Sequence, residues 1–143
     1  MNGGIASEET YPYTPSKDDC SPPAELVFNT DDKCGTTSAN GPDAVQLKHA
    51  VYNVGPVTVA MDASYLHLYD AGIYTSKECK PGTEGLNHAL LNVGYGSADG
   101  VDYWIVKNSW GSDWGEEGFF RIERGVDMCG IETDTQYPIV LEN

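Results

Sequence analysis

Residues 103–118 read Tyr-Trp-Ile-Val-Lys-Asn-Ser-Trp-Gly-Ser-Asp-Trp-Gly-Glu-Glu-Gly. The first four are aromatic or β-branched, a composition that predicts a strand. The chain then enters a polar, glycine-rich corner that holds Trp110 and Trp114, two of the three tryptophans in the sequence. Because such large aromatic side chains gain most when they pack, the corner is expected to lie over a specific surface.

A second apolar run lies upstream, at residues 87–96, and reads Asn-His-Ala-Leu-Leu-Asn-Val-Gly-Tyr-Gly. If the two runs pair as antiparallel neighbours, His88 at the start of one lies near Asn108 at the end of the other. An imidazole that is held by a neutral amide is the base half of a nucleophilic apparatus. His88 and Asn108 are therefore the candidate catalytic residues.

Together the two runs resemble the papain-like cysteine peptidases, the family of papain and the lysosomal cathepsins. The resemblance implies peptide-bond hydrolysis by a Cys-His-Asn triad, in which His88 is the base and Asn108 orients its ring. Trp110 would cover that hydrogen bond from water, and Trp114 would pack at the far side of the corner. The matching blocks are Asn-His-Ala at 87–89, Val-Gly-Tyr-Gly at 93–96, Tyr-Trp at 103–104, Lys-Asn-Ser-Trp-Gly at 107–111 and Trp-Gly-Glu at 114–116.

The same resemblance implies a set of substrate-binding residues. Ala60 and Leu86 match the apolar walls of the pocket for the second side chain of the substrate, and Asn87 precedes the histidine. Asp134, five residues after Cys129, matches the floor of that pocket. An acid there predicts that arginine is accepted through a charge-assisted pair. The alternative is that Asp134 is an ordinary surface carboxylate.

The nucleophile of the family lies in a Cys-Gly-Ser-Cys-Trp-like block. No such block occurs in these 143 residues, so the chain is expected to be the C-terminal portion of a peptidase that is inactive alone. Its expected partners are a peptide or protein substrate and the N-terminal half of the peptidase or another protein chain. The alternative is a non-catalytic papain-like binding or scaffold component of a larger assembly.

The four cysteines are not clustered, which argues against a zinc site. By resemblance, Cys79 is expected to form a disulfide with Cys129, as papain-like enzymes do in this half. Cys20 matches a cysteine whose usual partner lies upstream in the family. Cys34 matches no family position, and a pairing of Cys20 with Cys34 stays open. The resemblance implies no metal or organic cofactor.

The composition is strongly acidic, with 22 Asp and Glu against 8 Lys and Arg and a net charge of −14. This charge argues against nucleic acid or an anionic membrane surface as a partner. No apolar run approaches the roughly eighteen residues of a membrane-spanning helix. The resemblance implies a lysosomal, vacuolar or secreted location. The paired acids Glu8–Glu9 and Glu116–Glu117 are expected to be solvated surface.

Apolar periodicity predicts a helix over residues 43–54, which ends at Gly55-Pro56, and a strand over 57–61. By the same resemblance, residues 72–74 match a further strand of the family. Strands are also expected in the two runs above and at 118–124, while residues 15–42 are expected to be a loop with one short strand at 24–28. The predicted fold class is α+β, with the antiparallel β-barrel-like right domain of the papain-like fold. Residues 1–38 would be a connecting tail from the helical left domain, and residues 39–143 the C-terminal β domain.

Overall fold

The computed structural model describes residues 4–12, 14, 25–26, 28–29, 34–40 and 42–140. Within them the chain forms mainly strands, with one α-helix and short 3₁₀ turns at Leu66–Leu68 and Met128–Gly130. The elements are β1 (Gly4–Ile5), β2 (Phe28–Asn29), β3 (Cys34–Asn40), α1 (Ala44–Asn53), β4 (Val57–Met61), β5 (Ile73–Tyr74), β6 (His88–Ala98), β7 (Val101–Lys107), β8 (Phe119–Glu123) and β9 (Asp134–Val140).

The chain divides into two compact units. One comprises Met1–Thr36 with Pro138–Asn143 and contains the antiparallel pair of β1 with β2. The other, Thr37–Tyr137, contains α1, strands β4 to β8 and every residue of the site described below. The functional boundary between residues 38 and 39 remains a prediction.

The main sheet has the strand order β3-β9-β4-β6-β7-β8-β5. The pairs β4–β9, β4–β6, β6–β7 and β7–β8 are antiparallel, whereas β5 pairs with β8 in parallel. The predicted α+β class is confirmed. Its sheet is mixed and open, with β3 and β5 at the two edges.

The core follows the period of two that a half-buried sheet requires. In β7, Trp104 and Val106 are fully buried, and they lie opposite Ile122 and Phe120 of β8. Such cross-strand apolar pairs are the main local stabilisation of a sheet. Further buried apolar side chains come from β4, α1 and β6 and include Val57, Val59, Met61, Leu47, Ala50 and Leu90.

The helix α1 begins and ends close to where its sequence predicts. The Asp43 carboxylate caps it by accepting hydrogen bonds from the backbone N–H groups of Val45 and Gln46, at 3.0 and 2.9 Å. Gly55, at φ +123°, and Pro56 follow its last turn, and a left-handed glycine is a common helix stop. No helix among the described residues is long and apolar enough to cross a membrane.

The expectation of a loop through residues 34–40 is wrong, because these residues form β3 next to β9. β3 lies at an edge of the sheet, and an edge strand is held by backbone pairing along one side. Its sequence, Cys-Gly-Thr-Thr-Ser-Ala-Asn, therefore has no apolar alternation that would predict a strand. Of the strand expected at 24–28, residues 25–26 form no strand and residue 28 begins β2, while residues 24 and 27 lie outside the described residues.

The expected disulfide is present. Cys79, in the loop before β6, is bonded to Cys129, in the 3₁₀ turn before β9, across a sequence separation of 50 residues. The bond joins the segment that leads to His88 with the segment that leads to Asp134. The alternative pairing of Cys20 with Cys34 lies outside the part of the chain whose side chains the structure describes.

Replacement of both bonded cysteines by serine (Cys79→Ser with Cys129→Ser) should lower the free energy of unfolding by about 2–4 kcal/mol, because the crosslink restricts the unfolded chain. Denaturant titration of the wild type, oxidised and reduced, and of the variant measures this. The reduced wild type and the variant should coincide. An unchanged denaturation midpoint would contradict a stabilising role of this disulfide. A further loss of stability when the variant is reduced would reveal a second disulfide.

Candidate active site

The register of β6 against β7 sets the geometry of the candidate pair. Leu91 lies opposite Lys107, so continuing this antiparallel register places His88 across from Trp110, two residues beyond Asn108. A bulge between Asn92 and Gly94 shifts the register further along the pair. As the sequence predicts, the start of β6 and the end of β7 lie together, and His88 contacts Asn108.

The imidazole of His88 is hydrogen-bonded to the amide of Asn108, with 3.0 Å between Nε2 and Oδ1. The backbone N–H of Ser109 donates to the same Oδ1 at 2.8 Å, which identifies that atom as the oxygen. Nε2 must therefore carry the proton, and in the neutral ring Nδ1 is the basic nitrogen. Asn108 is only 7% exposed, so its amide is held in one orientation.

Trp110 stacks on the His88 ring, with centroids 5.3 Å apart and an interplanar angle of 26°. Trp114 meets the edge of Trp110 at 4.9 Å and packs on Tyr69 and Phe120 at 5.6 and 5.8 Å. The tryptophan corner, residues 108–118, thus connects the imidazole to the aromatic core. Trp110 itself remains 41% exposed.

Two glycines allow the tryptophan corner to fold this tightly. A Cβ on Gly115, at φ +57°, would lie 2.7 Å from the carbonyl oxygen of Phe119. A Cβ on Gly118, at φ +87°, would lie 3.1 Å from the carbonyl oxygen of Gly111. Both positions have the left-handed backbone that favours glycine; a side chain at Gly115 would clash with the backbone, and one at Gly118 would fit only tightly.

Glu116 is not the solvated surface acid that its sequence suggests. Its carboxylate accepts hydrogen bonds from Arg121 Nε at 2.9 Å and Arg121 Nη2 at 2.6 Å, and from the backbone N–H of Gly72 at 2.9 Å. The hydrogen bonds from Arg121 lower the pKa of Glu116 from 4.5 to about 2. This ion pair ties the tryptophan corner to β8 and to the turn before β5.

Of the four predicted substrate-binding residues, the sheet brings two together. Val59 lies opposite Thr135, and continuing this register places Ala60 of β4 beside Asp134 at the start of β9. On its other side Ala60 lies opposite Ala89, the residue after His88. Asp134 is exposed, and its Oδ1 accepts a hydrogen bond from Gln136 at 3.3 Å.

Leu86 and Asn87 lie in the approach to β6. Leu86 is half-buried and packs close to Gly130, where an added Cβ would lie 3.0 Å from Leu86 Cδ2. The amide of Asn87 is engaged within its own unit, because its Oδ1 accepts the backbone N–H of Ala63 at 2.9 Å. Neither residue is placed beside Asp134 by the strand pairings.

The sequence interpretation missed a buried carboxylate, Glu132, that orders the segment before Asp134. Glu132 is 3% exposed and accepts hydrogen bonds from Trp104 Nε1 at 2.9 Å and from the backbone N–H groups of Gly125 and Asp127 at 2.7 and 3.0 Å. Its side-chain donor, Trp104, lies 28 residues away in sequence, and no periodic pattern marks Glu132. The tryptophan donor links the start of β9 directly to the core.

Comparison with known proteins gives consistent matches along the chain. The sequence model of a family described as "Papain family cysteine protease" matches residues 1–139. The thiol protease aleurain of Arabidopsis thaliana is 44% identical over 140 residues, which cover 97% of this chain and 38% of the relative. Cathepsin L of Sarcophaga peregrina is 42% identical over 143 residues, with 97% and 41% covered.

Solved structures agree with the sequence matches. The digestive procathepsin L2 proteinase from the larval midgut of Tenebrio molitor has a TM-score of 0.86 at 39% identity, covering 97% of this chain and 44% of that one. The bromelain protease of Ananas comosus, solved with the E64 inhibitor, has a TM-score of 0.82 at 36% identity, with 99% and 65% covered. The chain spans 38% of the length of aleurain and 41% of that of the Sarcophaga cathepsin L.

Glu116→Gln should lower the free energy of unfolding by about 1–2 kcal/mol near neutral pH, because it replaces a charge-assisted pair by a neutral one. The folded pKa of Glu116 is about 2 against an ordinary 4.5, so the unfolded chain takes up the proton first as pH falls. The stabilisation is therefore complete above pH 4.5 and is lost as the pH falls towards 2.

Urea titration of the wild type and the variant across this pH range checks the prediction, with exposed Glu117→Gln as the matched control. The difference in free energy of unfolding between the wild type and Glu116→Gln should shrink as the pH falls towards 2. The control should have the free energy of unfolding of the wild type at every pH. A gap that is independent of pH would show that the pair does not stabilise through its charge.

Proposed function

Because this chain belongs to the papain family of cysteine proteases, we propose that it supplies the His-Asn half of a Cys-His-Asn site that hydrolyses peptide bonds. The observation that carries the proposal is the 3.0 Å hydrogen bond from His88 Nε2 to Asn108 Oδ1, beneath the stacked ring of Trp110. A structural histidine needs no such fixed tautomer. A base that must accept a proton at one defined nitrogen does.

In the proposed mechanism, Nδ1 of His88 takes the proton of a cysteine thiol and forms a thiolate–imidazolium pair. The thiolate attacks the peptide carbonyl, and the imidazolium returns its proton to the leaving amine. His88 then deprotonates the water that hydrolyses the acyl-enzyme. Throughout, the Oδ1 of Asn108 accepts a hydrogen bond from Nε2–H, which keeps the ring oriented while its charge changes.

The nucleophile is proposed to lie outside these 143 residues. Cys79 and Cys129 are bonded to each other and so cannot provide a thiolate. Neither Cys20 nor Cys34 lies in a block that resembles the nucleophile motif of the family. The chain is therefore inactive alone, and it acts once a partner segment brings the cysteine to His88.

One feature of the site supports a partner of this kind: Trp110 is 41% exposed beside the imidazole. Large apolar side chains that stay exposed beside a site are typical of an interface. The Cys79–Cys129 disulfide favours an oxidising location, which fits a secreted, lysosomal or vacuolar protein.

Thiol labelling tests the proposal. The chain is incubated with an epoxide that alkylates active-site thiolates, alone and together with a nucleophile-bearing N-terminal half, and the adduct is located by mass spectrometry. We expect no adduct on the chain alone. With the partner, we expect an adduct on its cysteine, hydrolysis of a peptide substrate, and loss of both with His88→Ala.

The control is His67→Ala, which removes an exposed histidine of the same unit and should leave hydrolysis unchanged. An adduct on a cysteine of this chain would overturn the proposed location of the nucleophile. Hydrolysis that survives His88→Ala would overturn the proposed base. Absence of both adduct and hydrolysis in the assembled protein would favour a non-catalytic scaffold.

The position of Asp134 extends the proposal to specificity. Its exposed carboxylate lies beside Ala60, whose side chain is a single methyl group. Asp134 has no arginine or lysine among the hydrogen-bond partners that the described residues provide. A guanidinium on the second side chain of a substrate could therefore form a charge-assisted pair with it.

Asp134→Ala in the assembled protease should lower kcat/KM for substrates with arginine at that position by about tenfold, the effect expected of one lost charge-assisted hydrogen bond. Substrates with leucine there should change little. The ratio of kcat/KM for arginine to that for leucine is measured with substrates that differ only at this position. Asp70→Ala, which removes an exposed acid elsewhere, is the control. An unchanged arginine-to-leucine ratio would show that Asp134 is an ordinary surface carboxylate.

A further inference from the structure

A second buried carboxylate, Asp62, lies directly after β4 and is only 5% exposed. Its Oδ1 accepts hydrogen bonds from Ser64 Oγ at 2.6 Å, from the Ser64 backbone N–H at 3.1 Å and from Asn87 Nδ2 at 3.4 Å. Its Oδ2 accepts the backbone N–H of Lys80 at 3.0 Å. None of these donors is charged, so neutral dipoles alone stabilise the carboxylate.

Burial by itself raises the pKa of Asp62, but the hydrogen bonds from Ser64, Lys80 and Asn87 outweigh it and hold the pKa below its ordinary 3.8. The group is thus ionised in the folded chain at any pH near neutrality. A charge that is buried in this way is costly unless its bonds are kept. The loops that supply the donors are therefore held in place.

Asn87 is the connection from Asp62 to the candidate base. Besides its bond to Asp62, its Nδ2 donates to Ser64 Oγ at 3.2 Å. Its backbone N–H donates to the carbonyl of Met61 at 3.1 Å. The next residue along the chain is His88, which lies opposite Met61 in the β4–β6 pairing. The backbone beside His88 is therefore hydrogen-bonded, through Asn87, to Met61 and Asp62.

Gly85 shows how closely the approach to His88 passes over the carboxylate. A Cβ on Gly85 would lie 2.8 Å from Asp62 Oδ2, so no side chain fits there. The backbone N–H of Asp62 in turn donates to the carbonyl of Cys129 at 2.8 Å. Asp62 therefore contacts the approach to β6 and both sides of the disulfide, through Lys80 and Cys129.

We propose that Asp62 is a positioning residue, which acts through Asn87 to hold the imidazole of His88 in line with Asn108 and with the incoming thiolate. The inference rests on the proposed function, since it needs a base to position. Asp62 does not touch substrate in this account. Its effect is on the geometry of the chemical step, where a small misplacement of a catalytic group costs rate.

The test compares Asp62→Asn, Asn87→Ala and the double variant in the assembled protease. Asp62→Asn should lower kcat by about 10- to 100-fold with KM within about threefold of the wild type. The double variant should be no slower than the slower single variant, because both changes break one linkage. Exposed Asp70→Asn makes the same chemical change outside this linkage and should match the wild type.

A second readout does not depend on the nucleophile. In the NMR spectrum of the 143-residue chain, the Nε2 proton of His88 should be protected by its bond to Asn108. It should exchange with water faster in Asp62→Asn and in Asn87→Ala, but not in Asp70→Asn. If Asp62→Asn fails to fold, Asn87→Ala provides the test. This variant leaves the hydrogen bonds of Asp62 to Ser64 and Lys80 in place and should also exchange the His88 proton faster.

The outcomes separate the two proposals. An assembled wild type that hydrolyses no peptide overturns the proposed function, and the exchange rate of the His88 proton then decides the role of Asp62 alone. Unchanged exchange and unchanged kcat in both single variants overturn the positioning role, even if their thermal stability falls. Additive losses in the double variant would also overturn it, since Asp62 would then act independently of Asn87.

Discussion

The backbone pairing of β6 with β7, and the bulge within it, is the constraint on which the site depends. On the hairpin side, Gly94 lies opposite Ile105; past the bulge, Leu91 lies opposite Lys107. The hairpin register, if it continued unshifted, would bring Ala89 rather than His88 across from Trp110. Because neighbouring residues in a strand face opposite sides, this one-residue offset decides whether the imidazole or a methyl group meets the tryptophan.

The bulge is maintained at a cost inside the core. Asn92, at its edge, is fully buried, and its Oδ1 accepts the backbone N–H of Gly94 at 3.3 Å. Its Nδ2 is buried with no hydrogen-bond partner among the described residues. An unsatisfied buried donor destabilises a fold by roughly 1–3 kcal/mol. The hydrogen bond that the Asn92 side chain accepts comes from Gly94, on the other side of the bulge.

Local signals in capping and alternation were sufficient for α1 and the central strands, whereas the pairing of His88 with Asn108 was predicted from the expected strand pairing together with the family resemblance. The carboxylates were not predictable in this way. The sequence predicts Glu116 to be a solvated acid, but its carboxylate accepts a hydrogen bond from the backbone of Gly72 and forms an ion pair with Arg121. Asp62 and Glu132 likewise accept hydrogen bonds from distant segments, from the backbone of Lys80 and from the indole of Trp104. Such contacts are set by the tertiary fold and leave no periodic trace.

These three carboxylates have a common physical effect, which bears on how the proposed site would assemble. Each gathers donors from two or more segments, so that the approach to His88, the tryptophan corner and the segment before Asp134 are ordered from within one unit. The entropic cost of ordering His88 and Asn108 is then part of the folding of this unit and is not added when substrate binds. On the proposed function, a partner that brings the thiolate meets a base already in its working tautomer. The orientation of the imidazole is set by bonds within this one unit.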